Sequence, residues 1–221
     1  MAERRELLPL ILLGAAAGAV WAFLGIAGEV AEGDTRALDE WVMLALRNPL
    51  DRSDPLGPPW LEETARDFTA LGSNGVLALL VLAAVLFLTT ARRRAEAAVL
   101  AASAGGALLL ESLAKHWYDR PRPDLVPHAA RVFTTGFPSG HATMAAAVYL
   151  TVGALLARTQ PNPRLKTYIP SLAVGLALLV GLSRVYLGLH WPTDVAAGWA
   201  LGAGWAALCW VAAYWLRRSS G

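Results

Sequence analysis

Six apolar runs, each near the length of a bilayer crossing and separated by short charged segments, constrain this chain more than any other feature. A spanning helix needs roughly 20 apolar residues. The runs lie at about 7–28, 74–91, 95–114, 141–158, 167–184 and 194–216. The second and fourth are short, and tilt would extend them. Only 16% of the 221 residues are charged, against about a quarter in soluble domains, and the charges cluster between the runs. The expected fold is all-α: a polytopic membrane protein with six transmembrane helices in a bundle, one domain over residues 1–221. The net charge of +2 says little by itself, and no nucleic-acid partner is expected. Cys209, the single cysteine, lies in an apolar run and reads as packing.

Arg4 and Arg5 precede the first run, as in a signal peptide, but the run is longer than a secretory apolar core. A retained helix is expected. Orientation follows from Lys and Arg in short segments. With six spans, Arg4 and Arg5, Arg92 to Arg94, Arg158, Arg164 and Lys166, and Arg217 and Arg218 fall on one side. That side is expected to be cytoplasmic, with both termini inside. Residues 29–73 form the longest segment between runs. Leu38, Trp41, Val42, Ala45 and Leu46 recur at helical spacing, as do Leu61, Thr64, Phe68 and Leu71. Two short amphipathic helices on the membrane surface are expected, separated by a Pro- and Asp-rich turn from Asn48 to Pro59. Trp41 and Trp60 suit an interface. The pairs Gly14/Gly18 and Gly198/Gly202 would each let helices approach closely.

Three short segments stand out at the ends of these runs. The first is Lys115-x6-Arg122-Pro123. The second is Pro138-Ser139-Gly140-His141. The third is Ser183-Arg184-x5-His190-x3-Asp194. On the six-span layout all three meet the outer face. Lys115, Arg122 and Arg184 are cations suited to phosphate oxygens, two of them in the bidentate geometry of arginine. Ser139 is an N-cap candidate, and a helix start offers unpaired amides to an anion. Pro192 suits the first position of a helix, which leaves His190 just outside it and lets Asp194 reach back. Glu111, one turn before Lys115, is an ionisable residue at membrane depth. It reads equally as functional or as an i,i+4 partner of Lys115.

Together these segments resemble the signature of the type 2 phosphatidic acid phosphatase (PAP2) superfamily, shared with acid phosphatases and vanadium haloperoxidases. They match in order and residue type over about 80 residues, Lys115 to Asp194. The six-span layout resembles the membrane lipid phosphatase branch. The resemblance implies His190 as nucleophile, Asp194 holding its other nitrogen, and His141 as the acid that protonates the leaving oxygen and then activates water. It implies phosphate binding by Lys115, Arg122 and Arg184, with neutral donors from Ser139, Gly140 and Ser183. The expected substrate is a lipid phosphate or pyrophosphate among membrane lipids, hydrolysed without a metal or other cofactor at the extracytoplasmic face. Undecaprenyl pyrophosphate, phosphatidylglycerol phosphate and phosphatidic acid are candidates. A phosphotransferase would use the same residues, and a lipid-binding or transport protein is the alternative from another class. The spacing of six selects Arg122 over Arg120, which reads as a headgroup or interface contact. His116 and His128 fit no position in the signature.

Overall fold

The computed structural model describes residues 2–125 and 135–219, with side chains from 9 to 125 and from 135 to 216. The side chains of Arg4, Arg5, Arg217 and Arg218, and the whole of His128, lie outside the described residues. Each apolar run is helical. The helices are α1 (Ala2–Glu32), α2 (Arg36–Ala45), α3 (Pro59–Ala70), α4 (Asn74–Thr90), α5 (Arg94–Tyr118), α6 (Gly140–Thr159), α7 (Pro163–Tyr186) and α8 (Pro192–Ser219). α1, α5, α6, α7 and α8 are each long and apolar enough to cross a membrane. α4 has 17 residues and reaches that length only together with α3, from which it bends by 47°. The short interfacial helices expected between the first two spans are α2 and α3. Trp41 and Trp60 point outward, 68% and 62% exposed.

Local chemistry sets the helix ends. Ser73 caps α4, its hydroxyl accepting from the Val76 amide at 3.4 Å. Asn162 caps α7 by accepting from the Arg164 amide at 2.9 Å, and Pro163 supplies the first position. α5 stops at Asp119, whose φ of 39° is left-handed. Such a turn closes a helix, at a cost for a side chain that asparagine and aspartate tolerate best.

α6 is the hub and packs against α4, α5, α7 and α8. Its Ala142, Ala145, Ala146, Ala147 and Val148 are buried. Small residues suit this position, because in lipid the helices are held by close packing and interhelical hydrogen bonds rather than by an apolar driving force. The two glycine pairs differ here. Gly198 and Gly202 lie against α6, so that a methyl group at Gly198 would stand 2.7 Å from the Ser139 carbonyl oxygen. Gly14 and Gly18 face open space. Polar groups also join the helices. Ser103 pairs with Thr151 at 2.8 Å, and the Trp199 and Trp205 indoles donate to the Ala177 and Ala102 carbonyls at 2.9 and 3.0 Å. Cys209 is buried beside Val99 and Ala213.

Alternating helix direction brings the C-terminal ends of α5 and α7 and the N-terminal ends of α6 and α8 to one end of the bundle. α2 and α3 cover that end. At the other end lie Arg92 to Arg94, Arg164 and Lys166, and Arg158, whose guanidinium sits over the Trp210 ring at 5.3 Å.

Candidate active site

A cavity of about 700 Å³ opens at the covered end of the bundle, lined by Lys115, Arg122, Gly140, His141, Arg184 and His190, with Glu111 and Asn74 among its other walls. Residues from three separate sequence segments therefore share one space. Ser139, Ser183 and Asp194 stand behind that wall, all buried.

His190 is 1% exposed and sits in the link between α7 and α8. Its Nε2 is 3.0 Å from an Arg122 terminal nitrogen, which also donates to the Leu189 carbonyl at 2.9 Å. A guanidinium offers only donors, so Nε2 is the accepting, unprotonated nitrogen and the ring proton resides on Nδ1. Nδ1 lies 3.5 Å from Asp194 Oδ2, too far for a hydrogen bond. Burial pushes the His190 ring well below its ordinary value. Arg122, Arg184 and Lys115 push the same way, and the Gly136 carbonyl opposes them. The ring is neutral, and the contact with Asp194 is not an ion pair. Burial likewise lowers Arg122, with Asp194 and Glu111 opposing.

Asp194 reaches back across the start of α8, though not first to His190. Its Oδ2 accepts from the Trp191 amide at 3.0 Å, and its Oδ1 accepts from Arg120 at 2.7 Å. Arg120 departs from the expected headgroup or interface contact. Its side chain is only 13% exposed. Besides Asp194 it binds Asp39 at 2.7 Å, Thr193 at 2.9 Å and Thr35 at 3.2 Å. The carboxylates of Asp39 and Asp194 are both fully buried, and a buried charge requires a partner. Asp39 also accepts from the Thr193 amide and hydroxyl, at 3.0 and 2.7 Å. α2, the segment after α5 and the start of α8 are thus tied together behind His190.

On the cation side, Arg184 donates to the Thr69 hydroxyl of α3 at 3.1 Å, while its buried Nε has no partner among the described residues. α3 is therefore docked on α7 as well as amphipathic. The break between α3 and α4 presses on the site, because a methyl group at Gly72 would meet Val180 and stand 3.3 Å from His141. Ser139 has the extended backbone of an N-cap, yet its hydroxyl makes no cap bond and is buried without a partner among the described residues. Ser183 spends its proton on the Val180 carbonyl at 2.7 Å. Lys115 Nζ is 2.5 Å from Glu111 Oε1. His116 lines the outer part of the cavity. Among the described residues, no three His, Cys, Asp or Glu side chains converge as a metal-ligand set.

Known proteins are similar to this chain in sequence and fold. A family model described as the PAP2 superfamily matches residues 96–218. The chain belongs to the PAP2 superfamily. Phosphatidylglycerophosphatase B of Bacillus subtilis is 34% identical over 145 residues, covering 65% of this chain and 71% of that protein. An undecaprenyl-diphosphatase of Sulfolobus acidocaldarius is 42% identical over 67 residues, 30% of this chain and 28% of that one. The crystal structure of a transmembrane PAP2-type phosphatidylglycerolphosphate phosphatase from Bacillus subtilis superposes with a TM-score of 0.79 at 29% identity, covering 88% of this chain and 93% of that one. The protein is a multi-pass membrane phosphatase of this superfamily.

Sequence reading missed Asp39, Thr69 and the inward turn of Arg120. Asp39 had a signal. It shares a helix face with Val42, Met43 and Leu46, and a carboxylate on an apolar face needs a cation. Thr69 carried none.

Proposed function

We propose that this PAP2 protein hydrolyses the phosphate or pyrophosphate of a membrane lipid through a phosphohistidine on His190, without a metal ion. The observation that carries this reading is the meeting of His141, His190 and the cations Lys115, Arg122 and Arg184 in one cavity. The relatives named for phosphatidylglycerophosphate and undecaprenyl diphosphate support a lipid phosphate as substrate class.

In the first step His190 Nε2 attacks phosphorus, and the bond to the leaving oxygen breaks as His141 gives that oxygen a proton. Arg122 donates to Nε2 before substrate arrives. It can turn the same N–H to a phosphoryl oxygen, which frees the lone pair for attack. Lys115, Arg184, Ser139 and the Gly140 amide supply the remaining donors, with Ser183 behind them. The charge that develops on the imidazole is met by Asp194, whose 3.5 Å separation closes as Nδ1–H becomes a stronger donor. In the second step water attacks phosphorus, His141 takes its proton, and the P–N bond breaks to release phosphate. Leu108 shares the cavity wall with these groups, and Leu109 and Leu113 on the same membrane-length helix are exposed apolar side chains. A lipid tail can therefore stay in the membrane while its phosphate enters. The basic loops at the opposite end support cytoplasmic termini and an extracytoplasmic site.

The test is release of phosphate by the purified protein in detergent from phosphatidylglycerol phosphate, phosphatidic acid and undecaprenyl pyrophosphate. Rapid quenching in alkali should trap an acid-labile phosphoryl group on His190, and His190→Ala should abolish both turnover and label. Undiminished phosphate release by His190→Ala would remove the nucleophile assignment. Labelled phosphate appearing in a second lipid rather than free would make the protein a transferase.

A further inference from the structure

The cavity holds an acid that the proposed chemistry does not use. Glu111 lines it and is 6% exposed. Its Oε1 pairs with Lys115 Nζ at 2.5 Å. The same oxygen faces the first residue of α6. A methyl group at Gly140 would stand 2.6 Å from Oε1 and 3.5 Å from Lys115 Nζ. The carboxylate thus lies between a cation and a helix start whose first amides have no carbonyl of their own helix to bond. Two buried donors of the same site, Ser139 Oγ and Arg184 Nε, have no partner among the described residues. The site has more donors than Glu111 can satisfy, and Glu111 fills the part next to Lys115.

We propose that Glu111 is a built-in competitor for the phosphoryl group and sets the charge an anion must carry to enter. This rests on the cavity being the phosphate site proposed above. A tethered carboxylate brings one charge and reaches Lys115. A terminal phosphate brings nearly two charges and three oxygens that reach Lys115, Arg122 and Arg184 together, so it displaces the carboxylate. A phosphodiester headgroup, with a single charge and two free oxygens, gains too little. In a bilayer made largely of phosphodiester lipids, this keeps the site open to the scarcer terminal phosphates. After hydrolysis the carboxylate returns to Lys115 and favours release of inorganic phosphate.

The experiment uses the full chain in detergent micelles, with inorganic phosphate and phosphatidylglycerol as inhibitors of phosphatidic acid hydrolysis. Glu111→Gln should lower the inhibition constant of inorganic phosphate about tenfold, the scale of one partly screened charge pair, and make phosphatidylglycerol inhibitory. A purely structural Glu111 that steadies Lys115 gives the opposite sign, so an unchanged or raised constant overturns the proposal. Glu111→Asp keeps the charge but withdraws it by one methylene. It should lower the constant by a smaller factor, and it decides the matter with the same signs if Glu111→Gln does not fold. Calorimetry with inorganic phosphate separates the two readings. Absence of phosphate binding by both wild type and Glu111→Gln, together with no hydrolysis of phosphatidic acid, removes the proposed function and this inference together. Wild type that binds, with Glu111→Gln binding no tighter, removes this inference alone.

Discussion

Arg120 and Arg122 are separated by one proline, yet the fold gives them opposite tasks. Arg120 turns inward to two fully buried carboxylates, Asp39 and Asp194. Arg122 turns to the cavity, where it meets His190 Nε2. Both are guanidinium groups in the same loop, so residue chemistry does not distinguish them. The surroundings do. Arg120 compensates two carboxylates that the fold has buried, and Arg122 stands in the cavity wall against His190 and the Leu189 carbonyl. The lesson is that neighbouring cations of the same chemistry are told apart by the side chains the fold places against them.

This contrast can be broken in order of expected effect. Arg120→Ala leaves Asp39 and Asp194 without their cation and should cost about 3–5 kcal/mol of stability, read as a lower melting temperature in detergent. Adding Asp39→Asn should restore part of that loss, since one of the orphaned charges is then gone. Arg122→Ala should instead lower melting by less than Arg120→Ala does and lower kcat/KM by about 10²- to 10³-fold, the effect of removing one donor to a developing anion. If Arg122→Ala melts as low as Arg120→Ala, the division between the two arginines fails.

A pH series sharpens the Arg122 side. His190 is held well below its ordinary value of 6.5 in the fold, first by burial and then by Arg122, Arg184 and Lys115. Between the folded and unfolded values, the unfolded chain binds the extra proton. The stabilising effect of keeping the ring neutral is therefore complete above pH 6.5 and is lost as pH falls toward the folded value. The slope from this group is about 1.4 kcal/mol per pH unit. Melting temperature should fall as pH drops below 6.5, and His190→Asn should flatten that dependence. The smallest expected effect is none: turnover should persist in excess chelator while vanadate inhibits it. Loss of activity after chelation, restored by a divalent ion, would show that the fixed cations are insufficient.

Much of the architecture was legible beforehand because it rests on local properties. Each apolar run became a helix, and even the shortness of the second span was visible in its length; α4 needs the bent α3 beside it. The signature was legible too, since Lys115, Arg122, His141, Arg184 and His190 do share one cavity. The inward turn of Arg120 was not legible, because its partners lie about 80 residues before it and about 70 after it in the chain. Thr69 against Arg184 was hidden for the same reason. The two glycine pairs make the point within one motif: identical spacing, but only Gly198 and Gly202 meet a neighbouring helix.

The sequence by itself determined that this chain crosses a membrane several times and carries the phosphatase signature at the ends of its crossings. Hydropathy and short spacings are enough for that, because helix length and helix-end chemistry depend on neighbours in the chain. Only the tertiary structure decided how the charges are distributed among roles: Arg120 to a buried scaffold and Arg122 to His190. Helix packing makes those pairings. It sets which charges lose water together, and each buried charge must then find its partner across the bundle.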